Sequence, residues 1–185
     1  MISQTSSLEF SHFPVMLNEV IKVSSPKKDE LVLDCTFGGG GYSKKFLQFP
    51  NIKVIGIDRD ASVISIADKL KKKFPQRFKF YQLRFSQLDK ILEKEVDTII
   101  FDLGLSSIQL NNLKRGFSFK SKDKLDMSMG LSTISAQDVI NNLSETKLKL
   151  IIKILGEEKE AHKIAKNIVK ARSKKKITKV DELVK

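Results

Sequence analysis

The sequence predicts an α/β fold: a parallel sheet with a ligand edge, followed by a helical region. Three observations lead there. Short apolar runs recur and end in an acid, at Asp34, Asp58 and Asp102. Segments of helical spacing separate the runs, so the strands are parallel and joined by crossovers. Four glycines, Gly38 to Gly41, follow the first run and open a helix. Strand, glycine turn and helix, in that order, begin a nucleotide-type binding unit. A glycine run alone is equally a loop, and the second strand with its terminal acid weighs against that reading.

Taken in order, His12-Phe13-Pro14-Val15 leads into a short helix from Met16 to Val23, and Ser24-Ser25-Pro26 turns the chain. His12 is either a base or part of a structural cover over the ligand cleft. Leu31 to Leu33 is the first strand, apolar throughout as a buried parallel strand is, and Asp34 closes it. Tyr42 to Leu47 has helical spacing, and the helix stops near Pro50-Asn51. Ile52 to Ile57 is the second strand. It ends at Asp58, about twenty residues past the first glycine, where an acid holds a ribose diol. Ala61 to Lys73 sets Val63, Ile64, Ile66, Ala67 and Leu70 at helical spacing under a lysine-rich face, and Pro75 ends it. Phe78 to Leu83 alternates as a half-buried strand, and Arg84-Phe85-Ser86 caps a helix from Gln87 to Glu93. Val96 to Asp102 is the fourth strand.

Beyond it the pattern changes. Asn111 to Gly130 is turn-rich, and three or four helices follow. Ser135-Ala136-Gln137-Asp138 and Thr178-Lys179-Val180-Asp181 resemble capping boxes. Glu145 to Leu155 is a helix stopped by Gly156. Glu157 to Arg172 is an amphipathic helix with Ala161, Ile164, Ala165, Ile168 and Val169 on one face. The expected division is a ligand-binding core over 1–110 and a loop and helical insertion over 111–185.

The ligand class follows by exclusion. A phosphate loop ends in Gly-Lys-Ser/Thr, whereas here Ser43-Lys44 lacks the glycine before lysine. The dinucleotide pattern needs a third glycine near Ser43, which is absent. S-adenosylmethionine (SAM) remains, with a ribose and adenine but no pyrophosphate. Three carboxylates at one sheet edge fit its positive sulfonium. Phe85, after the third strand, is either an adenine-facing ring or a core phenylalanine.

The chain has 34 Lys+Arg against 22 Asp+Glu, a formal charge of +12 over 185 residues. That charge fits a nucleic-acid partner, or it reflects solubility alone. The lysines at the end of the Glu157–Arg172 segment complement a helix dipole or meet phosphates. Cys35 is the one cysteine, which excludes an internal disulfide and fits a reducing compartment. It reads as a small buried residue. With His12 and His162 the only histidines, no metal cluster is visible. No apolar run reaches the roughly 18 residues of a membrane helix, and residues 1–10 lack a signal-peptide pattern. The expected location is cytoplasmic.

The motifs taken together are more specific than any one of them. His12-Phe13-Pro14-Val15, Asp34 to Gly41, Ile57-Asp58-Arg59-Asp60 and Asp102-Leu103-Gly104-Leu105-Ser106-Ser107-Ile108-Gln109-Leu110 occur in order. Arg115-Gly116-Phe117-Ser118-Phe119, Leu125-Asp126-Met127 and Gly156-Glu157-Glu158 follow. This order resembles the bacterial RsmH (MraW) family, from His12 to the end of the chain. The resemblance implies a Rossmann-like SAM-dependent methyltransferase fold with a helical insertion after the fourth strand. It implies N4-methylation of a cytosine in the decoding site of 16S ribosomal RNA, with that RNA or the small ribosomal subunit as partner.

Carried over by position, the family's SAM contacts fall on Gly40, Gly41, Tyr42, Asp58, Phe85, Asp102 and Gln109. Asp58 takes the ribose hydroxyls, Phe85 lies near the adenine, Gly40 and Gly41 pass the methionine part, and Asp102 and Gln109 line the donor site. Asp102 is also the expected catalytic group, orienting the amine and accepting its proton. Tyr42 stands where the family usually has His, and Ser128-Met129-Gly130 where it usually continues Arg-Met-Asp. Family members run on and complete the sheet, so this sequence is expected to be a C-terminally truncated member. Two other readings compete: an inactive RNA-binding fragment, and a different SAM-dependent amino-methyltransferase. The Asn/Asp-Pro-Pro-Tyr signature of the DNA enzymes is absent after the fourth strand.

Overall fold

The computed structural model describes residues 14–92 and 95–185. His12, Phe13 and the expected helix end at Glu93 lie outside them. The chain divides into two compact units, the first ending at Gly104 and the second spanning Leu105–Lys185.

The first unit holds α1 (Leu17–Ser24), β1 (Leu31–Asp34), α2 (Gly41–Phe46), β2 (Lys53–Asp58), α3 (Ile64–Lys73), β3 (Phe78–Gln82) and β4 (Thr98–Ile100). The four strands form one parallel sheet in the order β3-β2-β1-β4. In register, Leu33 lies between Ile55 and Ile99, and Asp34 between Gly56 and Ile100. β1 and β2 are the inner strands, and this is why they read as apolar runs rather than alternating ones. Val32, Leu33, Val54 and Ile57 are at most 1% exposed. Leu33, Cys35 and Ile57 form a core with Ile55, Leu83, Leu88, Ile91, Leu92 and Val96 packed on it. β4 is an edge strand, and Ile99 within it and Phe101 just after it are about half-exposed.

Several boundaries differ from expectation. The Ala61–Lys73 segment is a 3-10 turn, Ala61–Val63, followed by α3. Asp60 Oδ1 accepts from the Ser62 N–H at 3.0 Å, tightening that first turn. The expected Gln87–Glu93 helix is a 3-10 segment, Phe85–Lys90, interrupted at Gln87, whose φ of −117° is not helical. β4 is shorter than Val96–Asp102, because its neighbour β1 pairs with it only over Thr98–Ile100. Asp102 therefore sits in the loop after the strand.

The second unit contains α4 (Ser107–Asn111), α5 (Ala136–Asn142), α6 (Glu145–Leu155), α7 (Ala161–Arg172) and α8 (Val180–Val184). Its core is Leu125, Leu148, Ala165, Ile168, Ile177 and Val180. Asn141 ties the chain end to α5 in both directions: it donates to the Ile177 carbonyl at 2.7 Å and accepts the Ile177 N–H at 3.0 Å. Arg172, at the basic end of the Glu157–Arg172 segment, has a structural task. Its guanidinium donates to the carbonyls of Ile140 and Leu143 at 2.5 and 2.6 Å, covering the C-terminal end of α5. α7 starts at Ala161 rather than Glu157, whose φ of +51° belongs to a turn. The Ser135–Asp138 capping box forms. The second box is displaced by one residue: Glu182, not Asp181, accepts the N–H of Thr178 at 2.9 Å and of Lys179 at 3.2 Å.

Candidate functional site

The sheet order reverses direction at β1: β2 and β3 lie to one side and β4 to the other. Ligands of open α/β sheets bind beyond the carboxyl ends of the strands at such a reversal. A hydrogen bond joins the loops that leave β1 and β4. The Asp102 N–H donates to Thr36 Oγ1 at 2.7 Å.

Asp58 ends β2 and holds the glycine turn. Its Oδ2 accepts the Gly38 N–H at 2.8 Å and its Oδ1 the Asp60 N–H at 2.9 Å. Burial raises its pKa above the ordinary carboxylate value, against the lowering effect of these bonds. These two donors, with a smaller contribution from the Arg59 N–H, leave part of the carboxylate's acceptor positions for other hydroxyls. The turn itself needs glycine at position 40. There φ is +70° and an added Cβ would come within 2.9 Å of two carbons of the Phe37 ring. At Gly41 a Cβ would strike Pro14, so the residues before α1 lie directly over the turn. Tyr42, buried beside them, donates its hydroxyl to the Val15 carbonyl. Burial raises its pKa, with the carboxylates of Asp102 and Asp34 adding to the effect.

Asp34 corrects one expectation. The sequence pattern groups it with Asp58 and Asp102 as a ligand-facing acid, but it is 0% exposed. Its Oδ2 accepts from the Ser43 hydroxyl at 2.7 Å, and its Oδ1 lies 3.4 Å from the Thr36 N–H. It fastens α2 to β1 from inside. Burial pushes its pKa up to about 6, against an ordinary 3.8. A raised carboxyl stabilises the fold fully below pH 3.8, and that stabilisation is lost as pH rises through 6. The difference is worth roughly 3 kcal/mol. Asp34→Asn, which cannot titrate, is therefore expected to gain up to that amount relative to the wild type between pH 4 and pH 7. Urea unfolding of both proteins at the two pH values checks this, and an equal offset at both would show that Asp34 does not titrate there.

Cys35 is buried, and burial followed by the charge of Asp34 pushes its thiol up to about 11. It is a thiol at neutral pH and no nucleophile. Phe85 is not a core residue. It is 46% exposed and meets Phe101 edge-on, ring centroids 5.5 Å apart. Since β3 and β4 are the outer strands, this pair spans the ends of β2 and β1. Gln109 belongs to the second unit. Its side-chain oxygen accepts the Ser106 N–H at 3.0 Å, closing a capping box at the start of α4. Among the described residues no group of three His, Cys, Asp or Glu side chains could hold a metal ion.

Thr36 and Ser43 are the residues that sequence reasoning missed. Nothing in their spacing marks them, because their partners are Asp102, 66 positions away, and buried Asp34. The α4 cap was findable, since Ser106-Ser107-Ile108-Gln109 has the Ser-x-x-Gln form.

A parallel sheet with a glycine turn under an acid at its reversal point defines the nucleoside-binding class of open α/β proteins. Residues 9–185 match the MraW methylase family, and the chain belongs to that family. The ribosomal RNA small subunit methyltransferase H of Orientia tsutsugamushi (strain Ikeda) is 46% identical over 169 residues, 90% of this chain and 54% of that protein. The protein of the same name from Rickettsia akari is 42% identical over 174 residues, 94% of this chain and 57% of that protein. The chain thus spans a little over half the length of these relatives. Among solved structures, an rRNA methylase from Streptococcus thermophilus superposes with a TM-score of 0.42 at 18% identity, over 49% of this chain and 55% of that one.

Proposed function

We propose that this chain is the SAM-binding part of an enzyme that methylates N4 of a cytosine in the decoding site of 16S ribosomal RNA. The observation that carries the reading is the Asp58 carboxylate. It sits at the sheet's reversal edge, clamps the glycine turn through Gly38, and keeps acceptor positions for a ribose diol. Family membership supplies the reaction class. When bound, SAM supplies an electrophilic methyl group on its sulfonium.

Each residue then has a role on this reading. Asp58 accepts from the ribose hydroxyls. The backbone at Gly40, Gly41 and Tyr42 lies along the methionine part, where a side chain at position 40 would displace Phe37. Phe85, exposed and braced by Phe101, faces the adenine. Asp102 lines the donor site. The amine lone pair of cytosine is delocalised into the ring, so the base must be extruded and its N4 aimed in line with the methyl group. Asp102 orients that amine and takes its proton. No covalent attack on the ring is needed, in keeping with the protonated Cys35 thiol.

The first unit and residues to 110 form the cofactor domain on this reading, and residues 111–185 face the RNA. The substrate is 16S rRNA or the small subunit, and the site of action is the cytoplasm. No helix among the described residues is long and apolar enough to cross a membrane. Calorimetric titration of the chain with SAM, alongside thermal melting, tests the cofactor assignment. Saturable binding with a raised melting temperature is expected, and an absence of binding by a cooperatively melting chain would overturn it.

A further inference from the structure

We propose that Phe119 is a stacking platform for an unpaired RNA base, with the lysines of its own loop meeting the adjoining phosphates. The inference rests on the reading of the substrate as RNA and names a place where the RNA is gripped. Phe117 and Phe119 stand two positions apart, and the fold uses them differently. Phe117 is half-buried, with the Arg115 guanidinium 5.1 Å from its ring centroid. Phe119 is 74% exposed. The packing of the second unit has no use for it.

The loop that presents Phe119 is firmly built. Gly116, at φ +75°, passes so close to the Lys124 carbonyl that a Cβ would lie 2.6 Å from it. Ser121 is 1% exposed; its hydroxyl donates to the Leu113 carbonyl at 2.6 Å and accepts the Asp123 N–H at 3.0 Å. The Ser121 N–H donates to the Ser118 carbonyl at 2.9 Å, and the Lys120 N–H to the Ser118 hydroxyl at 3.3 Å. These bonds bracket Phe119 on both sides, so the backbone that carries the ring is ordered before binding. Over 112–124 the sequence carries Lys114, Arg115, Lys120, Lys122 and Lys124 against the single acid Asp123. Lys114, Lys120, Lys122 and Lys124 are all exposed. An outward aromatic ring among solvated cations is how single-stranded nucleic acid is held without reading its sequence: the ring stacks a base and the cations follow the backbone.

The chain contains no tryptophan, which gives the test a clean signal. Phe119→Trp introduces a single indole whose fluorescence falls if a base stacks on it. With a short single-stranded RNA as the probe, Phe119→Trp is expected to bind as the wild type does and to be quenched. Phe119→Ala is expected to lose about fivefold or more in affinity with an unchanged melting temperature. Lys120→Ala with Lys122→Ala is expected to lower the slope of log affinity against log salt by about 1.4. Wild-type affinity in Phe119→Ala with an unquenched indole, in a chain that still binds RNA, overturns the stacking role. The substrate reading then stands without the stacking role. A wild-type chain with no affinity for RNA overturns both.

Discussion

Asp58→Ala is expected to lower SAM affinity by about a hundredfold or more. The side chain does two things at once. Inside the protein it accepts the N–H groups of Gly38 and Asp60 at 2.8 and 2.9 Å. Each donor left without an acceptor in a part-buried position costs about 1–3 kcal/mol. Toward the ligand it offers charged acceptors to the ribose, and a hydrogen bond to a charged group contributes about 1.5–3 kcal/mol. The lost ribose bonds alone approach the 2.7 kcal/mol of a hundredfold change, while the lost internal acceptor loosens the glycine turn and adds the cost of ordering it on binding. Asp58→Asn keeps one acceptor oxygen and is expected to fall between the two. Calorimetry against SAM measures all three proteins. An Asp58→Ala chain that binds within severalfold of the wild type would remove the ribose role.

On the proposed reading, Asp102→Ala in a chain of the relatives' full length is expected to lower the methyl-transfer turnover number by about 10²–10⁴, the usual range for a lost proton-transfer group. Melting should be unchanged. The link between the β1 and β4 loops uses the backbone N–H of Asp102 and the hydroxyl of Thr36, not the carboxylate. SAM affinity is expected to fall by less than about tenfold, because Asp58 and the glycine turn stay in place, so the loss appears in turnover rather than binding. Asp102→Asn separates the two parts of the role: it can orient an amine but cannot take its proton. Activity restored by Asn would restrict Asp102 to orientation, and activity retained by Ala would exclude it from the chemistry. Thr36→Ala offers a contrast, since it removes the loop tie and keeps the carboxylate.

Much of the first unit was legible because its signals are local. Buried parallel strands need continuous apolar runs, and Leu31 to Leu33 and Val54 to Ile57 have them. The glycine at position 40 is demanded by a backbone conformation that other residues avoid. The boundaries that moved did so where tertiary pairing decides. β4 ends at Ile100 because that is where β1 pairs with it, although the apolar pattern continues through Phe101. The segment after β3 has helix-like composition but lies across a sheet face as a 3-10 turn, with Leu88, Ile91 and Leu92 packed on the core of Leu33, Cys35 and Ile57.

The site divides along the same line. By itself the sequence determined the strand order in the chain, the glycine turn, the acid at the end of β2 and the chain's family, because each is a property of neighbouring residues or of a motif read in sequence. Only the tertiary structure decided which acids are enclosed. Asp34 and Asp58 look alike in the sequence, each closing an apolar run. Folding encloses Asp34 with Ser43 and leaves Asp58 at the edge, holding Gly38. Arg172 was likewise one cation among many until the carbonyls of Ile140 and Leu143 came within reach. Phe117 and Phe119 separated into a packed ring and an exposed one. In each case the deciding quantity is the surroundings that folding brings to the side chain, which set the energy of a charge or an apolar ring and cannot be read from the spacing of apolar and charged residues.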